Sequence, residues 1–154
     1  MDEHSVIARP RVAGKKRNLG TVPFVELQAG RVQGIVASSS DWERVYCSFI
    51  DSNGDYYCST NNNRRCGGLG GPCKHIASMV DQAVLAFGAA DLASCLKLEP
   101  SQCGSARAVF GARRGSEKKE PAGVVFSRFV HDLHYTELSP SNDPLPELTW
   151  FVTG

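Results

Sequence analysis

Apolar and polar residues alternate in the first half of the chain in a way that predicts a small antiparallel sheet. Asn53-Gly54 separates two strand-like segments and indicates a tight primed turn, because both residues tolerate a positive φ angle. In the strand before this turn, Val45, Cys47 and Phe49 would share one face, as in a half-buried strand, which favours a core position for Cys47. The predicted strands are residues 22–27, 31–38, 42–50 and 56–59.

The second half of the chain carries a helical period instead. Pro72 suits the first turn of a helix, and the apolar residues after it recur at helical spacings. Gly88 interrupts this pattern, and a second helical segment would end before Pro100, with Cys95 packed in its apolar stripe. A further amphipathic helix is indicated near the C-terminus. The residues that carry the three patterns are Ile76, Met79, Val80, Ala83, Val84 and Phe87, then Leu92, Cys95 and Leu96, then Phe126, Phe129, Val130 and Leu133.

The run that links the sheet to the first helix has the composition of a metal site. It reads Cys-Ser-Thr-Asn-Asn-Asn-Arg-Arg-Cys-Gly-Gly-Leu-Gly-Gly-Pro-Cys-Lys-His, and its candidate ligands are Cys58, Cys66, Cys73 and His75. Thiolate and imidazole groups in a set of four favour zinc in a closed structural site. A glycine-rich surface loop with incidental cysteines is the alternative. Cys47 or Cys103 could also take the place of Cys66, although we expect Cys103 to be exposed.

The order of these features resembles the SWIM zinc finger family, whose pattern is Cys-x-Cys, a variable spacer and Cys-x-His. The resemblance covers roughly residues 31–87, and Cys73-Lys74-His75 is its most specific part. The second cysteine of the family pattern would stand at position 60, where this chain has Thr60. Threonine is a poor zinc ligand, so Cys66, in the same loop, is the natural replacement. The resemblance implies a zinc-dependent fold that binds proteins or nucleic acids.

We therefore predict an α+β fold, in which a small antiparallel sheet or hairpin packs on a helix through a zinc site, as in a ββα-like SWIM core. A chain of 154 residues with 42% hydrophobic residues can bury such a core without disulfides. The core would carry irregular N- and C-terminal extensions. The predicted segments are a basic flexible arm (1–20), the SWIM-like zinc-binding core (21–99), a linker rich in Gly, Ser, Arg and Lys (100–123), and a C-terminal helix with a partner-docking tail (124–154).

Charge and hydropathy limit the possible partners. The net charge is +1, so the chain as a whole gives no argument for nucleic acid. The basic arm is either a solvated, disordered tail or a segment that contacts phosphates or an acidic partner. No apolar run approaches the roughly 20 residues of a membrane span, and the N-terminus lacks the apolar stretch of a signal peptide, which predicts a cytoplasmic protein without a membrane partner. Clustered cysteines then favour metal ligands over disulfides.

These features predict a non-enzymatic, zinc-stabilised interaction module, a subunit or adaptor of a larger protein assembly with no small-molecule substrate. Its partner-binding residues would be Leu148, Trp150 and Phe151, at the apolar end of a proline-rich tail. The alternative is a nucleic-acid-binding zinc finger protein, whose contacts would come from Arg64, Arg65, Lys74, Lys15, Lys16 and Arg17. Catalysis becomes conceivable only if Cys66 does not bind and a water completes the zinc site.

Overall fold

The computed structural model describes residues 6–8, 22–41 and 43–137, and it has the predicted α+β fold. At its centre is a five-stranded antiparallel sheet in which each strand pairs with its neighbour in sequence. The four predicted strands are present, with their ends shifted by up to three residues. The strands are β1 (Val6–Ala8), β2 (Phe24–Gln28), β3 (Arg31–Ala37), β4 (Val45–Asp51) and β5 (Tyr56–Thr60).

The short strand β1 corrects part of the prediction of an irregular N-terminal arm. Its three residues pair in antiparallel register with residues 25–27 of β2. The apolar triplet Val-Ile-Ala can extend the sheet because the outer edge of β2 is open to it. The rest of the predicted arm lies outside the described residues.

The turn between β4 and β5 is longer than predicted. Only Gly54 has a positive φ angle there, of 85°, and the amide of Asp51 bonds the carbonyl of Asp55 over 2.9 Å. The side chain of Asp51 accepts the amides of Asn53 and Asp55, at 2.9 and 3.0 Å. This Asx-type bonding favours a three-residue loop that ends in a left-handed glycine over a two-residue primed turn.

The two-residue primed turn occurs instead between β2 and β3. Gln28 pairs with Arg31, and the two residues between them, Ala29 and Gly30, have φ angles of 50° and 73°. The predicted strands leave residues 28–30 between them, but Ala29-Gly30 lacks the Asn or Asp that marks a primed turn, and alanine adopts this region at a cost. The consequence is a close β2–β3 hairpin whose register is fixed by two residues.

Between the sheet and residue 137, the described chain forms four α-helices and one short 3-10 helix. The first helix ends where predicted, because Gly88 has a φ angle of 86° and its amide closes the last turn on the carbonyl of Val84. The second and last helices also lie where their patterns predict, but Cys95 is only half-buried and Val130 is exposed, so neither residue lies on the fully buried face that its pattern predicts. The helices are α1 (Lys74–Phe87), α2 (Ala89–Leu96), α3 (Ala106–Ala112) and α4 (Gly123–Glu137), and the 3-10 helix is Pro100–Gln102.

The sheet is covered on both faces, so β4 is not the half-buried strand that its alternation predicts. On one face, Val45 and Cys47 pack with Phe129 of α4 in the smaller of two apolar cores. On the other face, the larger core joins the sheet to α1, α2 and α3, with Met79 fully buried. Within the described part of the chain, no helix combines the length and the apolar character needed to cross a bilayer.

Residues 100–123 are part of the folded core, which corrects the prediction of a linker. Ala106 and Val109 of α3 are buried in the larger core, and Cys103, expected to be exposed, has no exposed surface. The amide of Ala106 is held by the Asp81 carboxylate of α1 at 2.7 Å. With only seven residues, α3 spans less than two helical turns, which is too short for its apolar residues to show a helical period in the sequence.

After α3, residues 113–118 form a strap that runs along the outer edge of β5. The amide of Tyr56 donates to the carbonyl of Ser116 over 3.1 Å, and the amide of Lys118 donates back to Tyr56 over 2.9 Å. At the start of the strap, the guanidinium of Arg113 donates to the carbonyls of Ser52 and Leu96. The strap therefore ties the tip of the β4–β5 hairpin to the end of α2.

Candidate metal centre

The four predicted ligands converge from three successive pieces of chain. Cys58 lies in β5, while Cys73 and His75 lie at the start of α1. Cys66 is brought to them by a tight reversal, because Asn63 adopts a left-handed conformation with a φ angle of 61° and its amide bonds the carbonyl of Thr60 over 2.9 Å. The chain then returns along β5, and the amide of Cys66 donates to the carbonyl of Cys58 over 3.0 Å.

The ligand atoms form a compact group. One ligand atom from each of Cys58, Cys66, Cys73 and His75 lies within 4.8 Å of all the others, and the group is almost entirely buried. Nδ1 of His75 faces the three sulfur atoms, at 3.4 Å from Cys66 and 3.8 Å from both Cys58 and Cys73. The cluster could hold a metal ion, and Nδ1 is the nitrogen placed to bind it.

Hydrogen bonding within the cluster separates the pKa values of the thiols. The Cys58 thiol, together with His75 and the first amides of α1, lowers the pKa of Cys73 to about 4. The same bond to Cys73 and burial raise the pKa of Cys58, and burial raises the pKa of Cys66. Zinc binds the thiolate form of cysteine, so any protons that these thiols hold would be released when an ion binds.

Two side chains of β4 complete the surroundings and were missed in the sequence. The ring of Tyr46 stacks on the imidazole of His75, with 3.6 Å between centroids and an angle of 14°. The hydroxyl of Ser48 donates to Cys58 Sγ over 3.7 Å. Tyr46 and Ser48 are two residues apart in β4, so their side chains lie on the same face of the sheet. Ser48 lies directly opposite Cys58, and this register depends on the three-residue turn.

One arginine anchors the loop between Cys66 and Cys73. Arg65 forms an ion pair with Glu117 of the strap at 2.5 and 2.6 Å, and it also donates to the carbonyl of Leu69. Leu69 itself is buried in the larger core. The loop is thus held at its apolar residue and by the strap, 52 residues further along the chain.

The remaining cysteines lie away from the ligand cluster. Cys47, the first alternative ligand, is buried in the smaller core, as predicted, and burial raises its pKa to about 12. Cys103, the second alternative, is buried in the larger core. Cys95 is half-buried, and its thiol donates to the carbonyl of Arg31 over 3.4 Å. None of them belongs to the group of ligand atoms found among the described residues.

The candidate nucleic-acid contacts are only partly brought together. Arg64 and Lys74 are exposed, and neither forms an ion pair in the part of the chain that the structure describes. Arg65 is committed to Glu117, which raises the pKa of its guanidinium. The basic residues Lys15, Lys16 and Arg17 and the candidate partner-binding residues Leu148, Trp150 and Phe151 lie outside the described residues.

A surface cavity of about 380 Å³ lies beside the cluster. Cys66 is the one candidate ligand in its lining, and Tyr46 also contributes to the wall. Charged side chains of both signs surround these two residues: Arg44, Arg64, Arg65, Asp41 and Glu43.

The chain matches no protein-family model, no curated protein and no solved structure at a significant level. Its function therefore has to be inferred from the chemistry of its own residues.

Proposed function

We propose that this protein is a non-enzymatic interaction module whose fold is stabilised by zinc bound to Cys58, Cys66, Cys73 and His75. The observation that carries the proposal is the spacing of the ligand atoms. Tetrahedral zinc, with its usual bond lengths, requires about 3.5 Å between nitrogen and sulfur and about 3.8 Å between two sulfurs. The distances of 3.4 to 3.8 Å from His75 Nδ1 to the three sulfurs fit one such ion.

The donor set supports zinc over other metals and a structural role over a catalytic one. Calcium and magnesium require oxygen ligands, and the cluster offers three sulfurs and one nitrogen. Four protein ligands fill a tetrahedral zinc ion and leave no position for water or substrate. The ion would join β5, the loop and α1, and its binding energy would then contribute to folding.

We infer that the site is a variant SWIM-type finger. A hairpin, a cysteine on its returning strand and Cys73-Lys74-His75 at a helix start follow one another in the order of that pattern. Thr60, in the place of the second cysteine, has a different role here, because its Oγ1 accepts the amide of Arg64 over 3.2 Å. Cys66 supplies the missing ligand after the reversal.

We propose that the partner is another protein, and that the two belong to a larger cytoplasmic assembly. Two of the three arginines that line the nearby cavity are neutralised within the chain, since Arg65 pairs with Glu117 and Arg44 lies 3.4 Å from Asp41. All six cysteines are free thiols, which suits a reducing compartment. The docking residues of this proposal are Leu148, Trp150 and Phe151, in the C-terminal tail.

Nucleic-acid binding is the second candidate, and the exposure of Arg64 and Lys74 without ion-pair partners among the described residues favours it. The salt dependence of binding distinguishes the two candidate functions. Binding that weakens steeply with added salt would support phosphate contacts, because each neutralised phosphate releases counterions. Partner binding that is little affected by salt and lost on deletion of residues 139–154 would support the protein candidate.

Elemental analysis of the purified protein and of the variants Cys73→Ser and His75→Ala tests whether zinc is bound at this site. We expect one zinc per chain, with loss of zinc and of folded structure in both variants. Cys95→Ser is the matched control, because Cys95 is a half-buried thiol outside the cluster, and it should retain zinc. Protein without stoichiometric metal, whose folding a chelator does not change, would contradict the proposal.

A further inference from the structure

The four candidate ligands differ in their access to the surface. Cys66 lines the cavity of about 380 Å³ described above, whereas Cys58, Cys73 and His75 do not. Tyr46 lines the same cavity and stacks on His75 from 3.6 Å, so its ring stands between the cavity and the imidazole. The metal position is therefore separated from solvent on this side by one sulfur and one aromatic ring.

The backbone of every candidate ligand is held in place. Cys58 lies in a strand that pairs with β4, Cys73 and His75 lie at the start of a helix packed on the sheet, and the amide of Cys66 bonds the carbonyl of Cys58. Cys66 differs from the others because it borders the cavity, so its Sγ can leave the metal by rotation of the side chain toward this opening, without movement of the backbone.

We propose that the metal is exchanged through this cavity, with Cys66 as the exchangeable ligand and Tyr46 as the barrier that slows the exchange. This rests on the metal site proposed above. The incoming group is an anionic chelating ligand, such as an aminocarboxylate. Its donor atom forms a bond to the metal while the bond to Cys66 Sγ breaks, and the released thiolate takes a proton from solvent. No oxidation state changes.

The charges around the cavity agree with an anionic incoming ligand. Arg44, Arg64 and Arg65 face it, against two carboxylates from Asp41 and Glu43. Arg64 forms no ion pair among the described residues, so its charge is available to attract an approaching anion.

The test uses the full chain loaded with cobalt(II), whose sulfur charge-transfer absorption reports the intact ligand set. The decay of this absorption in excess EDTA gives the rate of metal loss. We expect Tyr46→Ala to lose metal about tenfold faster than the unchanged protein, in the range found for residues that orient metal ligands. Tyr46→Phe should behave as the unchanged protein, because it keeps the ring.

Tyr56→Ala is the matched control, since Tyr56 is a partly buried tyrosine on the neighbouring strand that does not line the cavity. Its rate should be unchanged. If Tyr46→Ala fails to fold, Tyr46→Leu serves in its place, because it fills volume without a stacking ring. Arg64→Glu should slow the EDTA reaction severalfold, whereas Arg114→Glu, the same charge change on an exposed arginine outside the cavity lining, should not.

The outcomes separate the two proposals. A protein that binds neither zinc nor cobalt overturns the proposed metal site and, with it, the exchange route. A protein that binds cobalt with the expected absorption, but loses it equally fast with tyrosine, leucine or alanine at position 46, retains the site and overturns the route through the cavity. Equal acceleration in Tyr46→Phe and Tyr46→Ala would also overturn it, because the ring would then not be the barrier.

Discussion

Cys58 and Cys66 lie opposite each other on antiparallel segments, and the amide of Cys66 donates to the carbonyl of Cys58 over 3.0 Å. The same reversal pairs Ser59 with Arg65. Two of the candidate ligands are therefore fixed by backbone pairing, and the seven residues between them act as a structured turn.

The first prediction concerns Cys66 as a ligand. Cys66→Ser should weaken zinc binding by about 100-fold or more, since loss of a ligand should cost at least as much as loss of a residue that orients one. Competition with a zinc-binding dye measures the affinity. Cys95→Ser and Cys103→Ser change thiols outside the cluster and should leave the affinity unchanged. Unaltered zinc affinity in Cys66→Ser would show that another group completes the site.

The second prediction concerns the reversal itself. Asn63 has a left-handed φ angle of 61°, and its side chain accepts the amide of Ala122 over 2.7 Å, just before α4. Asn63→Gly should lower the free energy of unfolding by about 1 kcal/mol, the contribution of one hydrogen bond. Asn63→Ala should lower it by about 2 to 3 kcal/mol, because the left-handed conformation then carries a cost as well.

Denaturant unfolding of the zinc-loaded protein measures both values. The critical result is which of the two variants is the more stable. If glycine is no better than alanine at position 63, the left-handed conformation does not govern the reversal, and the loop is held by its other contacts.

How far the sequence predicts this molecule depends on the range of the interactions involved. Residue type and local spacing were sufficient to locate the three helices with apolar periods and to predict that Cys58, Cys66, Cys73 and His75 lie together. They were insufficient where the partner is remote in sequence. The burial of Cys103 depends on packing in the larger core, and Arg65 is held by Glu117, 52 residues away.

Short-range competition explains the other differences. Asn53-Gly54 has the residues of a two-residue turn, but the Asp51 side chain accepts two amides of the loop and favours a longer one. The loop is one residue longer than the predicted turn, and this sets the β4–β5 register. As a result, Ser48 lies opposite Cys58, where a two-residue turn would have placed Phe49. A local pattern identifies a hairpin more reliably than it identifies its register.

The third prediction concerns the contact between the strap and the hairpin tip. A Cβ on Gly115 would overlap the carbonyl of Gly54 and the amide of Asp55. Gly115→Ala should therefore destabilise the protein by about 1 to 3 kcal/mol, the usual cost of overpacking. Gly104→Ala is the matched control, because a Cβ there meets nothing within 4 Å. Thermal unfolding compares the two, and equal stability would mean that the strap does not contact the tip.

The fourth prediction concerns alkaline pH. Burial raises the pKa of Cys47 from 9.0 to about 12, so between these values the unfolded chain releases a proton that the folded chain retains. Titration of Cys47 therefore leaves the free energy of unfolding unchanged below about pH 9 and lowers it progressively as the pH rises toward 12. At about pH 10.5 the loss should be about 2 kcal/mol.

The measurement compares the zinc-loaded protein with Cys47→Ala. Each is unfolded at about pH 8 and about pH 10.5, and the loss of stability between the two should be about 2 kcal/mol smaller in the variant. The cost of the cavity left by the substitution is present at both pH values and cancels. An identical pH dependence in both proteins would show that Cys47 does not titrate in this way.

The edge of the sheet at β5 is closed by two separate pieces of the same chain. The strap pairs with Tyr56 at one end of the strand, and the return from Asn63 to Cys66 pairs with the other. Exposed strand edges are templates for pairing with further chains, so this double cover acts against self-association. If the piece that carries Cys66 left β5, that end of the strand would be open to intermolecular strand addition.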